Sequence, residues 1–82
     1  MDMQFSKAHL QTTITTALRR PVYAVAVTQD DGAPTHLYVA RDVHDVWIAT
    51  DAHPGFRSWW SAPKTHALTR HAAVRAWVAA HR

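Results

Sequence analysis

Three stretches in the middle of the chain alternate with a period of two and are dense in β-branched and aromatic residues. They are Pro21-Val22-Tyr23-Ala24-Val25-Ala26-Val27-Thr28, Thr35-His36-Leu37-Tyr38-Val39-Ala40-Arg41 and Asp45-Val46-Trp47-Ile48-Ala49-Thr50. This pattern predicts three strands. Asp30-Asp31-Gly32-Ala33-Pro34 supplies turn dihedrals between the first two and interrupts the run, so an antiparallel meander is expected. Alternation sorts the side chains onto two faces. Tyr23, Val25, Val27, Leu37, Val39, Val46 and Ile48 form the expected core face, and Ala24, Ala26, His36, Tyr38, Ala40, Trp47 and Ala49 the other.

Outside the strands the apolar period lengthens to three and four. Ser6 is placed as an N-cap, with Phe5 and Leu10 as a hydrophobic staple, and Leu10, Ile14, Ala17 and Leu18 share one helical face. Pro21 disfavours helical dihedrals at Arg20 and ends that helix. A last helix is expected to start near Ala62 or Pro63 and run toward Ala80, with Ala67, Leu68, His71, Val74 and Val78 as its core stripe. Together the elements predict an α+β fold: a single small domain over residues 1–82, ordered α-β-β-β-α, with a three-stranded antiparallel sheet and the helices packed on one face. The uncovered face would then carry Tyr38, Trp47 and His36 among alanines. Such a surface calls either for the segment Asp51 to Ser61 to fold back over it, or for a partner or a second copy of the chain forming a homodimer.

Composition narrows the chemistry. With 82 residues the chain can bury only a small core, and with no cysteine it has neither disulfides nor thiolate ligands. Met1-Asp2-Met3-Gln4-Phe5 has no basic region followed by an apolar one, and no apolar run approaches membrane-spanning length, so a cytoplasmic protein without membrane contact is expected. Charge is distributed unevenly. All six acidic residues are Asp at or before position 51, where only four of the nine Lys and Arg lie, whereas the remainder carries Arg57, Lys64, Arg70, Arg75 and Arg82 and no acid. The last third therefore suits an anionic partner.

On the expected final helix, His66, Arg70, Ala73, Trp77 and His81 recur at spacings of three and four, lining up cationic and aromatic groups. Trp59 and Trp60 are adjacent and must point in different directions, one to the core and the other either outward as an anchor of the kind common at binding hot spots or over the end of the small core. Catalytic chemistry finds less support. His66 and His71 are five apart rather than four, and Ser6, Ser58 and Ser61 lie in no Gly-flanked elbow. The two glycines form no phosphate loop, so no metal, nucleotide or other cofactor is expected. Asp42-Val43-His44-Asp45 and Asp51-Ala52-His53 do bring His and Asp together, which leaves a His-dependent nuclease as a less favoured alternative.

The expected order of elements resembles the double-stranded RNA-binding domain, and Gly32-Ala33-Pro34-Thr35-His36 is similar to that family's Gly-Pro-x-His loop with one residue inserted. The resemblance implies that this loop enters a minor groove while Lys64, His66 and Arg70 stand near the place of the family's phosphate-gripping lysines. Small, cysteine-free domains without an active site are also the format of mobile-element proteins that inhibit host machinery, phage anti-CRISPR proteins among them. The expected function is thus a non-catalytic binding protein that docks on a larger protein or nucleoprotein, with direct nucleic-acid binding as the alternative. Its expected contact residues are Lys64, His66, Arg70, Arg75, Trp77, Trp59, Trp60, Arg57, Tyr38 and Trp47.

Overall fold

The computed structural model describes residues 3–8, 20–28, 32–53 and 58–81. Five strands, β1 (Ser6–Ala8), β2 (Val22–Thr28), β3 (Pro34–Arg41), β4 (Trp47–Thr50) and β5 (Thr65–Ala67), form one antiparallel sheet in sequence order. A single turn, α1 (Ser58–Ser61), precedes β5, and the longer helix α2 (Arg70–Ala80) follows it. The three expected strands are present, but the sheet has five, and α2 is the one helix longer than a turn among the described residues. The αβββα order, and with it the likeness to the double-stranded RNA-binding domain, does not hold.

Both extra strands occupy segments expected to be helical. Ser6-Lys7-Ala8 pairs with Ala24, Tyr23 and Val22, so Ser6 lies in a strand and caps no helix; residues 9–19 of the expected first helix lie outside the described residues. Thr65-His66-Ala67 pairs with Ala49, Ile48 and Trp47, which delays the last helix to Arg70. There Thr69 is the N-cap, extended at φ −128 and ψ 156, its Oγ1 accepting from the Ala72 N–H at 3.2 Å. The Thr65 hydroxyl donates to the Ala73 carbonyl at 2.7 Å and ties β5 to the helix.

The registers decide which face each residue occupies. Val25 pairs with Leu37, Val39 with Ala49, Arg41 with Trp47, and Trp47 with Ala67, so the odd-numbered positions of β2 to β5 share one face. This inverts β4 relative to the sequence reading: Trp47 and Ala49 join Val25, Leu37 and Val39, while Ile48 points to the opposite side. The cause is the β3–β4 turn. Asp42 N–H donates to the Val46 carbonyl at 2.9 Å, Asp45 N–H donates to the Asp42 carbonyl at 3.1 Å, and Asp45 takes a left-handed φ of 62. Strand β4 therefore starts at Trp47, and its phase follows the turn geometry.

Helix α2 covers the odd face. Ala73, Val74, Trp77 and Val78 close over Val25, Val27, Leu37, Val39 and Ala49, with Met3, Phe5, Trp47 and Ala67 at the margin. The buried stripe is thus rotated from the expected one: Leu68 is 86% exposed and His71 is exposed, whereas Trp77 is only 3% exposed. On the other face Trp59 of α1 is 1% exposed and packs on Ile48, with Tyr38 beside it. Trp59 thus sets α1 over this part of the sheet, while residues 54–57 of the segment expected to fold back lie outside the described residues. At the end of β4 the buried Thr50 hydroxyl accepts from the Ala52 N–H at 3.3 Å.

Candidate functional site

Where β2 begins and β3 ends, arginines and aromatic rings converge beside the first turn of α2. Register alone brings three of them together, because Tyr23, Arg41 and Trp47 all occupy odd positions of neighbouring strands. The Arg41 guanidinium lies 5.8 Å from the centre of the Trp47 ring, and the Tyr23 and Trp47 rings are 6.0 Å apart at a 48° tilt. With Arg20 and Pro21 these residues line a half-open cleft of about 290 Å3. Arg70, the first residue of α2, places its guanidinium 5.2 Å from the Tyr23 ring centre and 4.5 Å from that of Phe5. Such contacts hold arginines beside aromatic faces while leaving much of their hydrogen-bonding capacity unused.

Among the described residues one carboxylate pairs with this group. Arg20 Nη1 donates to Asp45 Oδ1 at 2.6 Å and to the Asp42 carbonyl at 2.8 Å, and Arg41 Nη2 reaches the same Asp45 oxygen at 3.4 Å. The Asp45 side chain is 65% exposed, so these pairs contribute little to stability and leave an excess of positive charge. The N-terminus of α2 has no acidic residue in its first turn and adds its own positive end to the field.

Asp42 sits behind the cleft and shapes the turn. Its Oδ1 accepts from the backbone N–H groups of His44 at 2.8 Å and Val46 at 3.1 Å. Burial by itself would raise its pKa, but the Val46 and His44 hydrogen bonds and the nearby His44 and His66 imidazoles outweigh that and hold it below the ordinary 3.8. A depressed carboxylate pKa stabilises the fold above the unfolded-state value, and the contribution is lost as pH falls through the folded-state value. Wild type is therefore expected to be more stable than Asp42→Asn at neutral pH, and the two urea midpoints should converge below pH ~4. A gap that widens in acid would contradict this role.

No family model, curated protein or solved structure matches this chain.

The site is consequently judged on geometry, which divides the sequence-derived contact residues. Trp47 lines the cleft, and Arg70 stands beside it over the Tyr23 ring. Arg75 is exposed on the outer side of α2, and His66 is exposed on the even face of β5. Trp59 and Trp77 are buried and provide no outward anchor. Lys64 is committed locally: its Nζ donates to the Trp59 carbonyl and, at 3.1 Å, to the Ala62 carbonyl, while lying 5.6 Å from the Trp59 ring centre. Desolvation lowers its pKa. Tyr38 is half-buried on the even face with its ring edge-on to His53 at 5.2 Å, so it and Trp47 do not form one patch. Arg57 and the Trp60 side chain lie outside the described residues.

Sequence reasoning missed Arg20, Tyr23 and Arg41. The available signal was the shared odd parity of Tyr23, Arg41 and Trp47, which becomes useful only once the β3–β4 register is known. In the His-Asp segments Asp42 accepts from the backbone of its turn, Asp45 pairs with arginines, and His53 lies edge-on to Tyr38. Among the described residues no group of three or more His, Asp or Glu could hold a metal ion, and no helix is long and apolar enough to cross a membrane.

Proposed function

We propose that the protein is a non-catalytic binding module that docks on a polyanionic partner, a nucleoprotein being the best match, through the cleft lined by Arg20, Pro21, Tyr23, Arg41 and Trp47, with Arg70 beside it. The observation that carries this reading is three guanidiniums gathered around two partly exposed rings and paired, among the described residues, with a single carboxylate. Such a charge excess is destabilising for the isolated protein and becomes favourable when an anion is bound. Arginine suits this role because its planar fork meets phosphate or carboxylate oxygens two at a time while its face rests on an aromatic ring. The cysteine-free sequence is compatible with a reducing cytoplasm as the place where this occurs.

The test compares two reversals of equal charge at different places. On immobilised heparin, Arg41→Glu should elute at much lower salt than Arg75→Glu, although both change the net charge by the same amount. Equal shifts would mean that retention follows net charge alone and would remove the cleft from the interface. Unchanged far-UV circular dichroism in both variants controls for folding.

A further inference from the structure

We infer that the cleft accepts one nucleotide unit of a single-stranded nucleic acid, its base against the Trp47 and Tyr23 rings and its phosphates against Arg20, Arg41 and Arg70. This deepens the reading of the cleft as a polyanion site and rests on it.

Size and chemistry both point this way. A half-open volume of about 290 Å3 sits at the small end of ligand clefts, enough for one nucleotide and too small to seat a duplex. Two rings 6.0 Å apart and tilted by 48° are not stacked on each other, and each has a guanidinium near it, Arg41 at Trp47 and Arg70 at Tyr23, so a base that meets a ring lies next to a cation for its phosphate. Bases freed from a duplex stack on such rings irrespective of sequence, and a basic groove beside the rings follows the backbone. An acidic peptide would satisfy the arginines but leave the rings without a planar partner. A duplex keeps its bases in its own stack and would offer phosphates only.

Asp45 gives the site a built-in competitor. Its Oδ1 is shared by Arg20 and Arg41, the position that a phosphate oxygen would take, so an arriving strand must displace or share that carboxylate. Removing the charge should therefore tighten binding, an effect opposite in sign to that of any arginine reversal.

The experiment is fluorescence anisotropy with three labelled probes: oligothymidylate, an abasic deoxyribose-phosphate strand of the same length, and a duplex. Wild type should prefer oligothymidylate to both others, with affinity falling steeply between about 50 and 200 mM salt. Trp47→Leu should weaken oligothymidylate binding by about fivefold or more, the loss of one stacked base, and leave the abasic strand unaffected. Arg41→Glu should weaken both, and Asp45→Asn should strengthen both. Because Trp47 is half-buried and its replacement by Leu can disturb folding, a second readout uses Trp47→Phe: oligothymidylate should quench indole fluorescence in wild type, and that quenched component should be missing in the variant. If the abasic strand or the duplex binds as tightly as oligothymidylate and Trp47→Leu changes nothing, the nucleotide inference falls while the polyanion reading survives. Binding indifferent to Arg41→Glu would overturn both.

Discussion

Trp77→Ala is expected to unfold much of the protein rather than to release a partner. Trp77 is 3% exposed and lies in the cluster where α2 closes over Val25, Leu37, Val39 and Ala49. Replacing a buried aromatic by alanine costs about 3–5 kcal/mol, through lost transfer free energy and the cavity left behind. A domain of this length has a total stability on the order of 4–12 kcal/mol, so the substitution removes a large part of it. His81 stacks on the indole at 3.9 Å and donates from Nδ1 to the Trp77 carbonyl at 2.8 Å, so the C-terminal turn of α2 should fray with it. Trp77→Phe separates packing from hydrogen bonding. The indole N–H has no hydrogen-bond partner among the described residues, so the phenyl ring sacrifices no polar contact and should keep most of the stability. Urea unfolding followed by far-UV circular dichroism measures all three proteins. A near wild-type midpoint for Trp77→Ala would contradict the buried placement and return Trp77 to the surface role suggested by its helical spacing with Arg70 and His81.

That spacing shows why part of the fold was legible and part was not. Strands β2 and β3 lie within one residue of their expected bounds, because seven or eight residues of β-branched and aromatic alternation outweigh any competing helical pattern. Gly32 takes a φ of 83, in keeping with the turn dihedrals expected of the segment before Pro34. Three-residue strands carry no such signal. Thr65-His66-Ala67 lies in an alanine-rich stretch of helical propensity, and pairing with β4 overrides that propensity. The helix start was readable from Thr69 as a capping residue, but Pro63 supplied a competing start signal six residues earlier. On α2 the sequence reading gave the aromatic and cationic stripe to solvent, whereas the sheet takes Ala73 and Trp77 and leaves His71, Arg75 and Ala79 outside. The cleft was legible only in its parts. Arg70 and Trp47 stood out by residue type, but Arg20, Tyr23 and Arg41 become neighbours through a register that depends on one left-handed Asp45 in a turn.

The inverted phase of β4 yields the other large effect. Ala49→Asp should abolish folding, while Val46→Thr should be nearly neutral, the reverse of what alternation read forward from Asp45 implies. Ala49 is fully buried on the odd face, opposite Val39 on one side and Thr65 on the other, in the same cluster as Val74 and Trp77 of α2. A carboxylate there would be taken from water into a cluster of apolar side chains, at a cost of several kcal/mol even if it is protonated instead. Val46 is only half-buried and precedes β4. Its backbone does the structural work, accepting from the Asp42 N–H and donating to Asp42 Oδ1, and Val46→Thr keeps both contacts together with the β-branched shape. A buried valine would not tolerate the added hydroxyl without an unmet hydrogen bond, so about 1 kcal/mol or more would be lost if Val46 were in the core. Soluble expression and urea midpoints distinguish the two arrangements. A folded Ala49→Asp protein alongside a strongly destabilised Val46→Thr protein would mean that β4 pairs one residue out of step with the register described here. In that case Trp47 would move to the opposite face from Tyr23 and Arg41, and the cleft on which the binding proposals rest would not form.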